Sequence, residues 1–316
     1  MSKDICIEFK NVSKRYKDLL ALNDISFTID KGDVFGYIGP NGAGKTTTIK
    51  ILVGLITEFS GTVSIYGSNI QENHKDLHKF IGYHPQEAGF QEWRTIDHAF
   101  KTFGKLSGLS SDYLENRTQE ILKVIGLSDF RYKKIVHLSG GMVQKLRLGQ
   151  ALLHEPEILI MDEPLTGLDP QMRYQFKEII KKLAKSGITI LFSSHILSDV
   201  QDIANIIGIL NKGQIMKIGS PEELQTSFHI GNVLEIIVAK NTPPCKGLEE
   251  LSGVISVESV NNNKQLIHLT SEIDIDEIIS VILDKLIEQK CRIRSFSILK
   301  PSLEDVYLKY VGGKVE

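Results

Sequence analysis

The chain has 316 residues, of which 41% are apolar and 24% are charged, and this length corresponds to about two domains. These fractions are typical of soluble folded proteins and exclude disordered, collagen-like and coiled-coil classes. The 37 lysine and arginine residues are balanced by 39 aspartate and glutamate residues. Because binding to DNA or RNA depends on excess positive charge, this balance argues against a nucleic-acid partner.

The opening segment and the cysteines indicate a cytoplasmic protein. Charged residues interrupt the apolar positions of MSKDICIEFKN, so this segment lacks the apolar stretch of a signal peptide. No apolar run approaches the ~20 residues that cross a bilayer, so work at a membrane requires a partner. Cys6, Cys245 and Cys291 form neither a CxxC pair nor an even set, and we expect free thiols in a reducing compartment.

From Ile5 to about Ser227, short apolar runs alternate with helical patterns. This alternation predicts an α/β protein with a largely parallel sheet. The runs ILIMDEP and ITILFSSH lack polar alternation and are predicted to be fully buried central strands. Between about residues 93 and 153 the strand pattern disappears, which predicts a helical subdomain inserted into the α/β core.

The pattern changes after the turn residues Gly219, Ser220 and Pro221, and we place a domain boundary near residue 228. Strand-like segments surround one long helical segment beyond this point, which predicts a small α+β domain. The predicted organisation is a large α/β domain over residues 1–227 and an accessory domain over residues 228–316.

The segment GPNGAGKTT, residues 39–47, lies between a predicted strand and a predicted helix and matches the phosphate-loop pattern GxxxxGK[ST]. Its glycines let successive backbone N–H groups face one anion at a helix N-terminus. Lys45 supplies a charge for the β- and γ-phosphates, and Thr46 supplies a hydroxyl for Mg²⁺. The alternative is a glycine-rich turn without a ligand. The nucleotide-binding residues predicted here are Gly39, Asn41, Gly42, Gly44, Lys45, Thr46 and Thr47.

Two carboxylates follow the predicted buried strand ILIM. Ligands of parallel sheets bind at this carboxyl end of the strands. Asp162 is suited to hold the water shell of Mg²⁺, and Glu163 is suited to orient or deprotonate an attacking water. Alternatively, the two acids only cap the next helix.

The segment LSGGM, residues 138–142, opens a helix and provides a second anion-binding N-terminus. Most of the helical insert separates it from the phosphate loop. One nucleotide therefore cannot use both phosphate sites of one compact domain.

Together these motifs resemble the ATP-binding subunits of ABC transporters. The phosphate loop, LSGG, the carboxylate pair and a later histidine occur in that family's order over roughly residues 3–227. The resemblance implies a P-loop α/β fold, Mg²⁺-dependent ATP hydrolysis and a dimer that encloses two ATP molecules. It also implies that Ser139, Gly140 and Gly141 of one subunit close over the γ-phosphate that the other subunit holds.

Four further positions take roles from the same resemblance. Tyr16 resembles the aromatic residue that stacks on adenine, and Gln86 resembles the glutamine that touches Mg²⁺ or the lytic water. Asp169 resembles the aspartate that communicates across the dimer, and His195 resembles the histidine that contacts the γ-phosphate. Their alternatives are, in the same order, a strand-end aromatic, a loop amide, a helix N-cap and a structural histidine.

Two features refine the family assignment. The signature ends in Met142 where the family has glutamine, and methionine lacks that hydrogen-bonding amide. This departure bears on the tuning of hydrolysis rather than on the enclosure of ATP. The segment PSLEDVYLKYVG, residues 301–312, resembles the end of ATPases from ABC-2 type exporters, although an amphipathic helix that packs on its own domain has the same pattern.

We therefore expect the ATPase subunit of an ABC-2 type exporter, either as a homodimer or with a paired ATPase subunit. It would lie on the inner face of the cell membrane through a separately encoded permease. Phe90, Trp93 and Phe103 lie near Gln86 and predict the permease-docking surface, unless they belong to the core of the insert. One alternative is a soluble ABC ATPase acting on ribosomes or DNA, but those relatives usually carry two cassettes or a coiled-coil insertion. Another is a regulatory module without turnover, which Met142 permits and the carboxylate pair opposes.

Overall fold

The computed structural model describes residues 4–72, 78–87, 89–226, 233–240, 245–261, 263–270, 274–299 and 303–312. The chain divides into two compact units, Met1–Pro221 with Tyr310–Gly313 and Glu222–Lys309 with Lys314–Glu316. The predicted boundary near residue 228 lies outside the described residues. No helix within the described ranges is long and apolar enough to cross a membrane.

The first unit contains two β-sheets. Its strands are β1 (Ile5–Tyr16), β2 (Leu19–Asp30), β3 (Val34–Ile38), β4 (Ser60–Ile65), β5 (Ser68–Asn69), β6 (Ile81–His84), β7 (Ile158–Met161), β8 (Thr189–Ser194), β9 (Ile206–Asn211) and β10 (Gln214–Gly219). A six-stranded sheet has the order β10-β9-β3-β8-β7-β6, and only the β9/β10 pair is antiparallel. The predicted α/β fold class with a parallel core is confirmed.

The second sheet of this unit differs from the prediction of one largely parallel sheet. Strands β2, β1, β4 and β5 form a separate antiparallel sheet because β1 and β2 make a long hairpin across a tight turn. Alternating apolar side chains of this hairpin pack onto the parallel sheet. The ring of Phe27 stacks 4.5 Å from Phe9 on β1 and 5.4 Å from Phe35 on β3, which joins the two sheets in one core.

Three adjacent parallel strands place the chemically active segments together. Strands β3, β8 and β7 are neighbours in the sheet, and β7 and β8 are buried along their whole lengths. The phosphate loop follows β3, His195 follows β8, and Asp162 and Glu163 follow β7. Because these strands are parallel, their carboxyl ends meet at one edge of the sheet.

The helices of the first unit are α1 (Lys45–Leu52), α2 (Ile96–Leu106), α3 (Ser111–Val124), α4 (Gly140–Leu152), α5 (Pro170–Lys185) and α6 (Leu197–Gln201). Helices α2, α3 and α4 form the insert between β6 and β7. Arg131 fixes α2 to α3 because its guanidinium pairs with both Asp97 and Glu115. Side-chain oxygens cap several of these helices, which satisfies backbone N–H groups that have no intrahelical partner.

The second unit is built on one antiparallel sheet. Its strands are β11 (Val233–Val238), β12 (Val254–Asn261), β13 (Lys264–Leu269) and β14 (Ile293–Leu299), in the order β12-β13-β11-β14. Helix α7 (Pro221–Thr226) begins at the boundary between the units, and helix α9 (Leu303–Gly312) belongs to the second unit as far as Lys309. Ile278, Ile282 and Leu286 of helix α8 (Ile275–Glu288) pack on Leu234, Ile236 and Ile267 in its core.

The expectation of free thiols is wrong for two of the three cysteines. Cys245 and Cys291 form a disulfide within the second unit, although they lie 46 residues apart in sequence. Spacing alone could not reveal the pair, because the sheet and α8 bring its two segments together. Cys6 is free and buried in the first unit.

Candidate functional site

The phosphate loop forms an open concavity between β3 and α1. Gly44 caps α1 with a φ of 113°, a left-handed conformation that disfavours other residues. A Cβ atom on Gly44 would lie 2.7 Å from the carbonyl oxygen of Ala21. A Cβ atom on Gly42 would instead point into open space. The backbone at Gly44 thus leaves no room for a side chain, whereas the space beside Gly42 is open.

Lys45 is the first residue of α1 and is 5% exposed. Its ammonium donates hydrogen bonds to the carbonyl oxygens of Gly39 at 2.7 Å and Pro40 at 3.2 Å. The same Nζ atom lies 3.3 Å from Oε1 of Glu163. The loop carbonyls and the Glu163 carboxylate therefore fix the charge of Lys45 in the lining of the cleft.

Glu163 lies in a sharp turn after β7, with a φ of 49° that is uncommon for a residue with a side chain. Its backbone N–H donates to Oγ of Ser193 at 2.9 Å, which holds the turn in place. His195 Nδ1 lies 2.8 Å from Glu163 Oε2, and Thr166 Oγ1 donates to the same oxygen at 3.0 Å. Burial favours a higher pKa for Glu163, but the hydrogen bond from His195 and the charge of Lys45 outweigh it and lower the pKa. The carboxylate is therefore ionised and able to accept a proton.

Asp162 and Thr46 bring a carboxylate and a hydroxyl oxygen together in the site. Thr46 Oγ1 donates to Asp162 Oδ1 at 3.2 Å, and Ser193 Oγ donates to the same oxygen at 2.7 Å. A hydroxyl and a carboxylate are the hard oxygen ligands that Mg²⁺ prefers. Thr46 and Asp162 can therefore supply one or two oxygen ligands to Mg²⁺. The described residues contain no cluster of three or more His, Cys, Asp or Glu side chains for another kind of metal.

A cleft of about 400 Å³ brings most of the predicted residues together. Its size is within the ordinary range for a small-molecule site. Tyr16, 42% exposed, lies in its wall with the apolar side chains of Leu19 and Ala21. The predicted residues that line the cleft are Tyr16, Asn41, Gly42, Gly44, Lys45, Thr46, Thr47, Gln86 and Glu163. Gly39, Asp162 and His195 join this set through their hydrogen bonds to Lys45, Thr46 and Glu163.

The signature residues Ser139, Gly140 and Gly141 do not line this cleft. Ser139 caps α4, because its Oγ accepts a hydrogen bond from the N–H of Met142 at 3.3 Å. Asp169 also lies outside the cleft and caps α5, accepting from the N–H of Met172 at 2.8 Å. Within one chain, the alternative assignment of Asp169 as a helix N-cap is therefore what the structure shows.

Gln86 connects the cleft to the helical insert. Its side chain is exposed and lines the cleft, while its carbonyl oxygen accepts a hydrogen bond from Arg147 of α4 at 3.2 Å. Two residues earlier, His84 Nε2 lies 3.3 Å from the carbonyl oxygen of Gln144, also on α4. The helix that begins at the signature is thus joined to the segment that carries Gln86.

Three further side chains support the site, although no motif in the sequence marks them. Ser193 contacts both Asp162 and the backbone of Glu163, and Thr166 contacts the Glu163 carboxylate. The third is Lys14, which lies over the ring of Tyr16. No local sequence signal marks Ser193, because its contact with Asp162 arises from the parallel pairing of β7 with β8 at Met161 and Phe192.

Comparisons with known proteins agree with this geometry. The family described as "ABC transporter" matches residues 22–166, and the family described as "ATP-binding protein DrrA1-3-like, C-terminal domain" matches residues 219–311. The linearmycin resistance ATP-binding protein LnrL of Bacillus subtilis is 31% identical over 97% of this chain and 98% of its own length. The chain belongs to the ABC transporter ATP-binding proteins. It is an ATPase subunit built on the P-loop fold.

Two further proteins show how far the likeness extends. Nod factor export ATP-binding protein I of Cupriavidus pinatubonensis is 35% identical over 73% of this chain and 71% of its own length. A solved ATP-binding cassette of an ABC transporter in its ADP conformation has a TM-score of 0.64 and 26% identity. The alignment covers 69% of this chain and 92% of the chain in that structure. The family and the cleft therefore both indicate that this ABC ATPase binds a nucleotide.

Proposed function

We propose that this ATPase drives an ABC-2 type exporter, with ATP enclosed between two ATPase subunits. The observation that carries the proposal is the separation of the two anion-binding helix starts. Lys45 and Glu163 face the cleft at one of them, whereas Ser139 at the other does not line it. A second subunit brings its signature to the open side of the cleft, so each ATP contacts both subunits.

The arrangement of Lys45, Glu163 and His195 supports in-line hydrolysis. Water attacks the γ-phosphorus, a new P–O bond forms, and the bond to the β–γ bridging oxygen breaks to leave ADP and phosphate. Glu163 orients the water and accepts its proton. Lys45 moves from Glu163 to the phosphates and neutralises the charge that develops on their oxygens. His195 is held through Nδ1 by Glu163, and Nε2 is the ring nitrogen left to face the γ-phosphate.

The remaining residues bind and orient the substrate. Thr46 and Asp162, with Gln86 nearby, would hold Mg²⁺, which would supply positive charge to the β- and γ-phosphates. Tyr16 stacks on the adenine, a contact of about 1–3 kcal/mol per base. The remaining loop residues Gly39, Asn41, Gly42, Gly44 and Thr47 bind phosphate oxygens, and Ser139, Gly140 and Gly141 from the partner subunit close the site. Asp169 of each subunit faces the other across the dimer.

The permease docks beside Gln86 on the surface that carries Trp93. This tryptophan is 63% exposed, while Phe90 and Phe103 are half-buried and pack edge-on against each other at 5.9 Å. Of these three aromatic side chains, Trp93 is thus the one most available to a partner. Large exposed aromatic residues are enriched at the centres of protein interfaces.

Co-purification with the membrane protein encoded beside this chain tests the docking. Trp93→Arg is expected to abolish co-purification while leaving the unfolding temperature unchanged. Leu55→Arg is the matched control, because Leu55 is 64% exposed after α1 and lies outside the proposed surface. Co-purification that persists in Trp93→Arg, or is lost equally in Leu55→Arg, contradicts the docking surface.

The main alternative is an ABC ATPase that acts on ribosomes or DNA. The chain has one phosphate loop, one signature and a formal charge of −2, none of which favours a nucleic-acid partner. Linearmycin resistance protein LnrL aligns along nearly the whole chain, including the accessory unit. The combination of one cassette with this accessory unit therefore favours the exporter.

A further inference from the structure

Lys14 contacts the proposed adenine-stacking residue from its own strand. Its ammonium nitrogen lies 5.1 Å from the centre of the Tyr16 ring. Both residues belong to β1 and are separated by one residue, and the contact shows that their side chains lie on the same side of the strand. The ammonium also donates a hydrogen bond to the carbonyl oxygen of Glu58 at 2.5 Å. The Lys14 ammonium is therefore held between the backbone carbonyl of Glu58 and the ring of Tyr16.

Tyr16 has little else to hold its ring. It is 42% exposed, and its hydroxyl makes no hydrogen bond to any residue within the described ranges. An exposed tyrosine at a strand end rotates among several side-chain conformations. A cation anchored over one ring face favours the conformation that keeps this contact. Tyr16 lines the cleft and is partly exposed, so its ring is accessible to a flat ligand.

The wall around Tyr16 recognises a base by shape rather than by hydrogen bonds. Leu19 and Ala21, the neighbouring side chains in the cleft, carry no donor or acceptor that could pair with the edge of a purine. Affinity for the base thus depends on the position of the Tyr16 ring. A ligand that stacks on a ring already in place loses less conformational freedom on binding.

We propose that Lys14 is a positioning residue that holds the Tyr16 ring for stacking of the nucleobase. The inference rests on the proposed role of Tyr16. The contribution of Lys14 is to nucleotide affinity through the base and not to phosphate binding or to the chemical step. Lys14 is outside the cleft lining and touches no residue of the phosphate loop among those described.

The test measures dissociation constants for ATP and for inorganic tripolyphosphate, which has no base, in the full chain. Lys14→Met keeps an unbranched side chain but removes the charge, and is expected to weaken ATP binding about two- to fivefold, as for an exposed cation–π contact. Tripolyphosphate binding and kcat are expected to stay unchanged. Lys14→Arg retains a cation and is expected to restore ATP binding. Lys10→Met, an exposed lysine on the same strand, is the control.

Tyr16→Ala separates this inference from the proposal on which it rests. The expected result is weaker ATP binding in Tyr16→Ala and no further loss when Lys14→Met is added. If Tyr16→Ala binds ATP as the parent does, the proposed role of Tyr16 is wrong. If Tyr16→Ala weakens ATP binding but Lys14→Met alone does not, the positioning role of Lys14 is wrong. Equal weakening of ATP and tripolyphosphate by Lys14→Met also overturns it, because strand disruption would act on both ligands.

Discussion

The ammonium nitrogen of Lys45 lies 3.3 Å from Oε1 of Glu163, and fewer than a tenth of either side chain is exposed. The residue proposed to bind phosphate is thus paired with the residue proposed to activate water. Removing one member of a buried ion pair leaves the other charge without its partner. ATP binding must replace the carboxylate with phosphate oxygens around Lys45, which releases Glu163 to face the attacking water.

Lys45→Ala is expected to lower ATP hydrolysis by about a hundredfold or more, because one fixed charge at the transition state is lost. The weaker phosphate binding should appear directly in the dissociation constant for ATP. Lys50→Ala is the control, since Lys50 lies exposed on the same helix. A Lys45→Ala variant that binds and hydrolyses ATP as well as the parent would show that the active site lies elsewhere.

Glu163→Gln is expected to produce a tight dimer that forms only with Mg-ATP. The neutral amide keeps the shape of Glu163 but cannot accept a proton from water, so the enclosed ATP persists. The substitution also removes the ion pair between Lys45 and residue 163. The Lys45 ammonium is then free to bind phosphate oxygens more strongly. Light scattering after size exclusion measures the mass with and without Mg-ATP, and the change in mass is the decisive quantity.

A second dimer, in which both subunits keep Glu163, tests whether the signature acts across subunits. Ser139→Arg places a large cation where the serine caps α4, and it should inactivate the site of the opposite subunit. A mixed dimer with one Ser139→Arg subunit is therefore expected to keep one active site. An unchanged mass of Glu163→Gln upon adding Mg-ATP, together with two active sites in the mixed dimer, contradicts enclosure between subunits.

Because the His84 imidazole is buried, we expect the free energy of unfolding to fall in mild acid. Burial lowers its pKa to about 4, and Nδ1 has no hydrogen-bond partner among the residues that the structure describes. The unfolded chain takes up a proton near pH 6.5 whereas the folded chain does not, so the contribution of His84 is complete above this pH and declines as the pH falls. Between pH 7 and pH 5 the free energy of unfolding should fall by about 2 kcal/mol on account of His84.

Urea unfolding of the full chain at the two pH values measures this decline. His84→Gln removes the titrating group while retaining a hydrogen-bond donor, and the difference between pH 7 and pH 5 should shrink by the same amount. His137→Gln alters an exposed histidine and serves as the control. A pH dependence that is identical in His84→Gln and the parent would exclude His84 as its source.

The sequence predicts those parts of the molecule that depend on local pattern. A glycine-rich loop between a strand and a helix, and two acids after an apolar strand, are readable because each motif lies within about ten residues. Contacts between distant segments are not readable in this way. Ser193 reaches Asp162 through strand pairing, and Lys14 is anchored by Glu58 from another part of the first unit. The separate antiparallel sheet also depends on how the β1/β2 hairpin packs in three dimensions.

The disulfide between Cys245 and Cys291 predicts that the second unit is stabilised by oxidation. The bond closes a loop between residues 46 apart, and the chain-entropy model assigns such a loop about 4 kcal/mol of stability. Two glutamine side chains fix the same region: Gln265 bonds the backbone of Cys245, and Gln289 bonds the backbone of Lys246. Reduction should therefore lower the temperature of the unfolding transition of the second unit in a calorimetric scan of the full chain.

Thiol titration and two variants separate the disulfide from other effects of reductant. The oxidised, unfolded chain should expose one reactive thiol, from Cys6, and the reduced chain three. Cys291→Ala should unfold at the lower temperature with or without reductant, because it cannot form the bond. Cys6→Ala, in the other unit, should keep the full response of the second unit to reductant. Three reactive thiols without reductant, or a Cys291→Ala variant that still responds to it, would show that the two cysteines do not stabilise the second unit as a disulfide.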